Sequence, residues 1–500
     1  MLQKLHGRIT FNQYQIDCRS VITMYVVAVV APSLWLLLWT FSVVTRADKP
    51  VADNCDLSED LRKEIAGYRP IVKQVLAYVL DGPHRGRTWA ELAEFTDTFG
   101  SRLVGTKNLE NSIDYMLDKL KAAHLDNVHG EEMTFEAWQR GDESAWLISP
   151  RSKKLGMLGL GTSVGTPPNG INAEVVVVNS FDDLHNKSSI IEGKIVVYNQ
   201  PYVSYGITAQ YRSLGASIAA KYGAIAVLIR SITPFSLYTP HTGHQQYSEG
   251  IKKIPAACIT IEDAEMLQRM YDRGNKIEIL LKMNPKFFPN ATSRNTVAEI
   301  KGTTKPERVL VVSGHLDSWD VGEGAMDDGG GAFVSWNSLV VLKELGLKPK
   351  RTIRCILWTA EEMGYLGANA YLEQHANELD NFDLVMESDD GTFTPYGLEF
   401  HGSDKSACIM KEVAKMFDSI NATTVISKTE TVGSDIDGFQ RLKVPGLSLM
   451  NKNEKYFWYH HTQADTMAVE DPDALDLNTA MYALVSYIVA DLSIDLPRYT

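Results

Sequence analysis

Apolar positions in this chain follow two textures. From Thr88 to Val128 they recur every three or four residues, in "TWAELAEFTDTFGSRL" and "LENSIDYMLDKLKAAHL", which predicts two amphipathic helices leading to a strand near "VHGEEMTFEAW". Beyond about residue 290, short β-branched runs alternate with helical periods: "RVLVVSG", "RTIRCILWTA", "FDLVMESD" and "VPGLSLM", then a long apolar helix through "ALDLNTAMYALVSYIVADL". Val309 to Val312 is apolar at every position, as in a strand buried on both faces of a parallel sheet. Such alternation predicts an α/β fold with a mixed, largely parallel sheet flanked by helices. Between them, the runs "AEVVVV", "GKIVVYN" and "AIAVLI" are separated by Gly, Pro and Asn turns. This middle stretch reads as a smaller β-rich domain, 151–285, inserted into a main domain made of 71–150 and 286–500.

The N-terminus changes the expected compartment. The 24 residues from Val21 to Val44 carry no charge and are long enough to cross a bilayer, with Lys4, Arg8 and Arg19 before them. A cleaved signal sequence and a type II anchor, with residues 1–20 as n-region or cytosolic tail, are both allowed; either sends the body of the protein into the secretory pathway, to be secreted, lumenal or lysosomal. Membrane association is expected only if that segment stays uncleaved. Sequons at Asn186, Asn290 and Asn421 agree with this route and are candidate glycosylation sites. Cys258 and Cys355 lie inside apolar runs and read as buried small hydrophobes; with Cys18, Cys55 and Cys408 the only others, the chain is neither a disulfide scaffold nor a thiolate metal site. Five hundred residues at 44% hydrophobic content can bury a sizeable core, and a net charge of -13 without a basic stripe argues against a nucleic-acid partner.

Candidate chemistry concentrates at the ends of the later strands, where open α/β sheets bind ligands. "GHLDSWDVGEGAMDDGGG", residues 314–331, places Asp317, Asp320, Glu323, Asp327 and Asp328 beside His315 with no Lys or Arg among them. Carboxylates this dense raise one another's pKa unless a cation or open water relieves them. Glu361-Glu362 follows the second strand, Asp389 the third, and His460-His461 the segment "NEKYFWY". Each alone has an ordinary structural explanation as a helix start, a cap or a packed aromatic neighbour. Together they supply His, Asp, Glu, Asp and His at successive strand ends, a sulfur-free set suited to two close divalent metals such as zinc.

The order of these residues, in "GHLDSWDVGEGAMDDGGG", "LWTAEE", "VMESDDGTF" and "KYFWYHH", resembles the co-catalytic zinc aminopeptidase and carboxypeptidase family that includes the glutamate carboxypeptidases, and the resemblance runs through most of residues 70 to 495. It implies a zinc exopeptidase fold, a middle region similar to a protease-associated domain, two zinc ions per chain, a homodimer and a removable pro-segment at 48–70. His315 and Asp389 would hold one zinc, Glu362 and His461 the other, and Asp327 would bridge them. Asp317 matches the carboxylate that holds the other ring N–H of His315, and Asp465 is a candidate for the same service to His461. Glu361 matches the general base, taking a proton from a metal-bridging water and passing it to the leaving amine. The implied reaction is hydrolysis of small peptides, foremost dipeptides with free N- and C-termini. Glu387 and Asp435 are candidate contacts for the free amino terminus, although this chain has Ser434-Asp435-Ile436 where the family often has Ser-Asp-His.

Rival readings fare less well. "GASIA" around Ser217 lacks the second Gly of a nucleophile turn, no H-E-x-x-H occurs, and Pro167-Pro168 stands where a dinucleotide loop "GLGTSVG" would need a helix. A calcium-organised adhesion loop would use oxygen ligands only. The non-enzymatic alternative is a membrane-anchored receptor that keeps a peptidase fold without turnover. Such a copy usually loses a ligand or the base, and all six of those residues are present here.

Overall fold

The computed structural model describes residues 48–53 and 55–499. The 21–44 segment, residues 1–20 and Cys18 lie outside that range; among the described residues no helix is long and apolar enough to cross a membrane.

The apolar runs form the centre of a nine-stranded sheet. From edge to edge it runs Lys49–Pro50, Thr424–Ser427, Pro395–His401, Gly446–Asn451, Phe382–Glu387, Lys305–His315, Arg351–Trp358, Lys286–Ile300 and Asp126–Gln139. The four strands from Gly446–Asn451 to Arg351–Trp358 are parallel, and the long Lys286–Ile300 and Asp126–Gln139 strands continue the sheet antiparallel. Val309 to Val312 are all buried, as continuous apolar strands between two helical layers must be. On one face the helix Gly330–Glu344 is buried from Gly330 to Leu342, packed between the sheet and the equally buried helix Pro472–Asp491. A helix that is apolar all round finds its place inside. In-register pairing of His315 with Trp358, and of Ser313 with Glu387, brings three strand ends to one level.

A second, eight-stranded sheet is built from residues 143–283, and its four central strands, Ile171–Val178, Ile195–Tyr198, Ala226–Arg230 and Ala256–Ile259, are parallel. It takes in Glu143–Ser149, upstream of the change in texture at about 150 in the sequence. It is also less purely β than its Val/Ile runs suggest, since the helices Tyr205–Ala220 and Ile261–Asp272 follow two of its strands. Separate apolar clusters line its two faces.

The stretch 48–70 is woven into the body. Lys49–Pro50 pairs with Thr424–Ser427, Leu57, Leu61, Ile65 and Tyr68 join the main core, and Cys55 forms a disulfide with Cys408. The two remaining described cysteines, Cys258 and Cys355, are free and buried, as their apolar settings predict. A cut between Asp56 and Arg69 would therefore leave the released strand tethered until the bridge is reduced. The disulfide belongs to an oxidising compartment. Cys408→Ala is expected to cost about 2–4 kcal/mol of stability, read as a lower denaturant midpoint that added reductant does not lower further.

Candidate metal centre

The acidic loop after the Lys305–His315 strand does not pool its charges. Asp320 is paired with Arg140 through two bonds of 2.8 and 2.9 Å, and Glu323 accepts from the Met467 amide at 3.1 Å. Asp328 ties the strand end to the helix start, its two oxygens taking the amides of His315 at 2.9 Å and Gly331 at 3.0 Å. Gly331 permits that closeness, since a Cβ there would lie 1.9 Å from the Ser388 carbonyl oxygen. Only Asp327 is left facing the histidines.

Asp327 stands between them. Its Oδ1 is 3.3 Å from His315 Nε2 and its Oδ2 3.3 Å from His461 Nε2. His315 Nε2 is also 3.3 Å from Asp389 Oδ1 and 3.8 Å from Glu361 Oε2, while His461 Nε2 is 3.0 Å from Glu362 Oε2. The sequence therefore brings together all six residues expected at the centre. His315 with Asp327 and Asp389, and His315 with Glu361 and Glu362, each place three donor atoms within 4.8 Å of one another; so does Asp327 with His460 and His461. His315 Nε2, Asp327 Oδ2 and Glu362 Oε1 are buried without a hydrogen-bond partner. Imidazole and carboxylate donors left free at this spacing fit zinc. His460 stacks on His461 with ring centroids 3.5 Å apart, and its Nε2 is 3.5 Å from Asp327 Oδ2.

Charge regulation follows from the packing. Burial pushes Asp327 up, but its contacts with His315, His460 and His461 hold it well below the usual carboxylate range. Burial, and after it the neighbouring Asp389, Glu362 and Asp327, push Glu361 well above its ordinary value; His315 opposes them. Burial likewise lifts Glu362 to about 7. Such dispersion among touching carboxyls gives one group the means to hold a proton while its neighbour stays ionised.

Three expected roles are corrected. The Nδ1 of His315 meets the main-chain carbonyl of Asp317 at 2.9 Å, whereas the Asp317 carboxylate is 3.7 Å away. That carboxylate instead accepts the amides of Glu361 at 3.1 Å and Glu362 at 3.3 Å, so it aims the two glutamates. Asp465 does not serve His461: it accepts the amides of Ala325, Met326 and Asp327, fixing the loop that carries Asp327, and His461 Nδ1 faces the Thr242 carbonyl at 3.2 Å. Glu387 and Asp435 are buried and absent from the wall of the cavity. Glu387 is engaged by the amides of Ser434 and Asp435, and it is Ser434 that reaches the cavity, its hydroxyl donating to Asp389 at 2.5 Å.

Other contributors left little trace in the sequence. Arg102, fully buried, donates to the carbonyls of Gly100, Leu316, Glu323 and Gly324 and so clamps the acidic loop from behind. Ala360, Tyr365 and His461 adopt left-handed backbone angles, φ 59°, 61° and 61°, uncommon for residues with a Cβ. The cavity in front of the centre has a volume of about 410 Å³, and its far wall comes from the 143–283 region, with Tyr205, Arg212, Ser213, His244 and Gln246. The main chain of Thr242 and the ring of His241 fasten that wall to the centre: Thr242 N donates to His461 O at 3.0 Å, and His241 Nδ1 lies 2.8 Å from His460 O.

Known proteins resemble this chain in sequence and fold. Residues 295–486 match the model of peptidase family M28. Carboxypeptidase Q of Homo sapiens is 52% identical over 440 residues, covering 88% of this chain and 93% of that protein. A peptidase M28 precursor from Shewanella amazonensis superposes with a TM-score of 0.83 at 31% identity, covering 87% of this chain and 100% of that one. BSAP, a zinc aminopeptidase from Bacillus subtilis, has the same fold, with a TM-score of 0.64, 21% identity and coverage of 83% and 99%.

Proposed function

From a chain that belongs to the carboxypeptidase Q branch of peptidase family M28, and is thereby a metallo-exopeptidase that depends on zinc, we propose hydrolysis of small peptides, dipeptides with free ends foremost, at a centre of two zinc ions. The observation that carries this reading is Asp327 equidistant between His315 and His461, each histidine having its own further carboxylate, Asp389 for one and Glu362 for the other. One shared and two private carboxylates make two nearly equivalent sites. Zinc bound there supplies a Lewis acid for the scissile carbonyl and lowers the pKa of water. The remaining work falls to the protein. Glu361 lines the cavity, its amide held by Asp317, and it takes the proton of the attacking water and returns it to the leaving amine. The cavity of about 410 Å³ is bounded opposite the centre by the far wall, which suits short peptides better than folded chains.

We place the enzyme in the lumen of the secretory pathway or outside the cell, as a homodimer, with glycan on at least one of Asn186, Asn290 and Asn421. All three asparagines are exposed, which supports this. The test of the function is metal analysis of purified protein alongside dipeptide turnover. Expected are two zinc per chain, turnover abolished by chelation, and recovery when zinc is returned. Turnover that survives complete metal removal overturns the proposal.

A further inference from the structure

Tyr365 is a large side chain with little to pack against. It lines the cavity, it is 43% exposed, and among the described residues its hydroxyl has no hydrogen-bond partner and its ring no aromatic neighbour. The other large rings of the wall are engaged: Tyr205 stacks on Phe457 with centroids 4.7 Å apart, and Tyr456 meets Phe457 at 5.1 Å. Their hydroxyls are engaged as well, that of Tyr205 accepting from Arg212 at 2.6 Å and that of Tyr456 donating to the Asp389 carbonyl at 3.3 Å. Tyr365 also keeps its place in a left-handed conformation, φ 61° and ψ 33°, which glycine enters freely and a bulky residue only at a cost. Packing does not account for an aromatic residue there. The fold alone would be served as well by glycine.

A second free ring stands close by. His244, from the far wall, lies over Gly364, the residue before Tyr365: a Cβ on that glycine would sit 3.8 Å from the imidazole Cε1 and 4.0 Å from its Nδ1. Among the described residues no side-chain hydrogen bond or ring contact engages His244 either. Burial, and after it the charge of Arg212, bring its pKa down to about 4, so a neutral, flat imidazole faces the cavity. The main chain fixes where the pair stands relative to the chemistry. The Glu361 carbonyl receives the amides of Gly364 at 2.8 Å and Tyr365 at 2.9 Å, so a single turn roots Tyr365, and the glycine under His244, beside the general base.

We propose that Tyr365 and His244 form a slot for an aromatic side chain on one of the two residues that flank the scissile bond, and that this slot makes the enzyme prefer aromatic dipeptides to small ones. A ring entering there finds two unengaged rings, and aromatic pairs gain free energy beyond the area they bury. The Tyr365 hydroxyl and the imidazole nitrogens stay available for a polar edge on that side chain. The proposal rests on the exopeptidase reading above and narrows it: the slot names a side-chain class, and bond cleavage stays with Glu361 and the centre. The contact exists before and during the reaction, so it governs KM more than kcat.

The test gives zinc-loaded enzyme three dipeptides, Ala-Ala, Phe-Ala and Ala-Phe. At least one aromatic dipeptide is expected to exceed Ala-Ala in kcat/KM by about tenfold or more, the scale on which an apolar pocket separates side chains. Tyr365→Gly should bring that ratio to within about threefold of one through the KM of the aromatic dipeptide, with zinc content unchanged and a melting temperature that holds or rises. Tyr365→Phe, which keeps the ring, should keep the preference, and His244→Ala should lower it in part. A wild-type enzyme that uses Ala-Ala as well as both aromatic dipeptides overturns the proposal and leaves the exopeptidase intact. A preference that survives in Tyr365→Gly overturns it too, as does a loss in that variant equal for all three dipeptides and accompanied by a lower melting temperature. Hydrolysis of none of the three by the wild-type enzyme removes the reading beneath it and the slot with it. Should Tyr365→Gly fail to fold, the wild-type ratio and the His244→Ala variant decide.

Discussion

Glu361→Gln keeps its zinc and loses about a hundredfold or more in kcat, the usual scale for a missing general base. The amide is nearly isosteric with the carboxylate, and the Asp317 bond to the residue's main-chain N–H at 3.1 Å is untouched, so the side chain stays where it is. What disappears is the ability to accept a proton. Because that interaction belongs to the transition state, dipeptide KM should change little. Glu362→Gln provides the contrast. Its carboxylate lies 3.0 Å from His461 Nε2, and replacing it with a neutral amide should lower zinc occupancy together with rate. Elemental analysis of both variants beside their kinetics distinguishes the roles. An empty site in Glu361→Gln and a full complement in Glu362→Gln would interchange base and ligand.

Asp327→Asn should be more damaging, because one side chain serves both histidines at 3.3 Å. Loss of an outer partner of a metal ligand typically costs about 10–100-fold in affinity, and a shared ligand should exceed that. The variant is expected to bind fewer than two zinc ions and to lose measurable turnover at micromolar metal. Stability offers a second readout. A ligand present at 1,000 times its dissociation constant stabilises the native state by about 4 kcal/mol. Zinc should therefore raise the melting temperature of the wild-type protein clearly and that of Asp327→Asn little. An Asp327→Asn protein with two tightly held zinc ions would remove Asp327 from the bridging position.

Four of the residues that the sequence makes legible follow a continuous apolar run; His461, expected at a further strand end, instead follows the short helix Tyr456–Tyr459. Val309–Val312 announces a buried parallel strand, so His315 must emerge at its end, and the same reasoning places Glu361, Glu362 and Asp389. Strand ends in a parallel sheet meet by geometry, without further information from the intervening chain. The partners of these residues escape that logic. Whether His315 Nδ1 meets the carboxylate or the carbonyl of Asp317 depends on a turn a few residues long. Arg102 gives no signal, being one arginine in the loop after the helix Arg87–Phe99, whose depth depends on tertiary packing. Thr242 and Arg212 come from a region whose Val/Ile texture advertises only its own sheet; their approach to His461 is a property of how that sheet's loop docks. Glu387 and Asp435 were misplaced for the opposite reason, since an acidic residue beside a ligand reads as accessible while the chain folds the 433–435 loop over it.

The bridge between Cys55 and Cys408 sets a timetable for biosynthesis. The partners are 353 positions apart, so Cys55 leaves the ribosome long before Cys408 exists. At roughly 5–20 residues per second the thiol waits about 20–70 s. Throughout that interval the Lys49–Pro50 strand also lacks Thr424–Ser427, its neighbour in the sheet. The nascent chain thus exposes an unpaired strand and a free thiol side by side until translation is nearly complete. Cys258 and Cys355 compete for that thiol in the meantime and are withdrawn from the contest only as their own strands become buried. Correct pairing therefore depends on the order in which the two sheets close, and slowing the burial of either strand favours mispaired chains that a disulfide isomerase must correct.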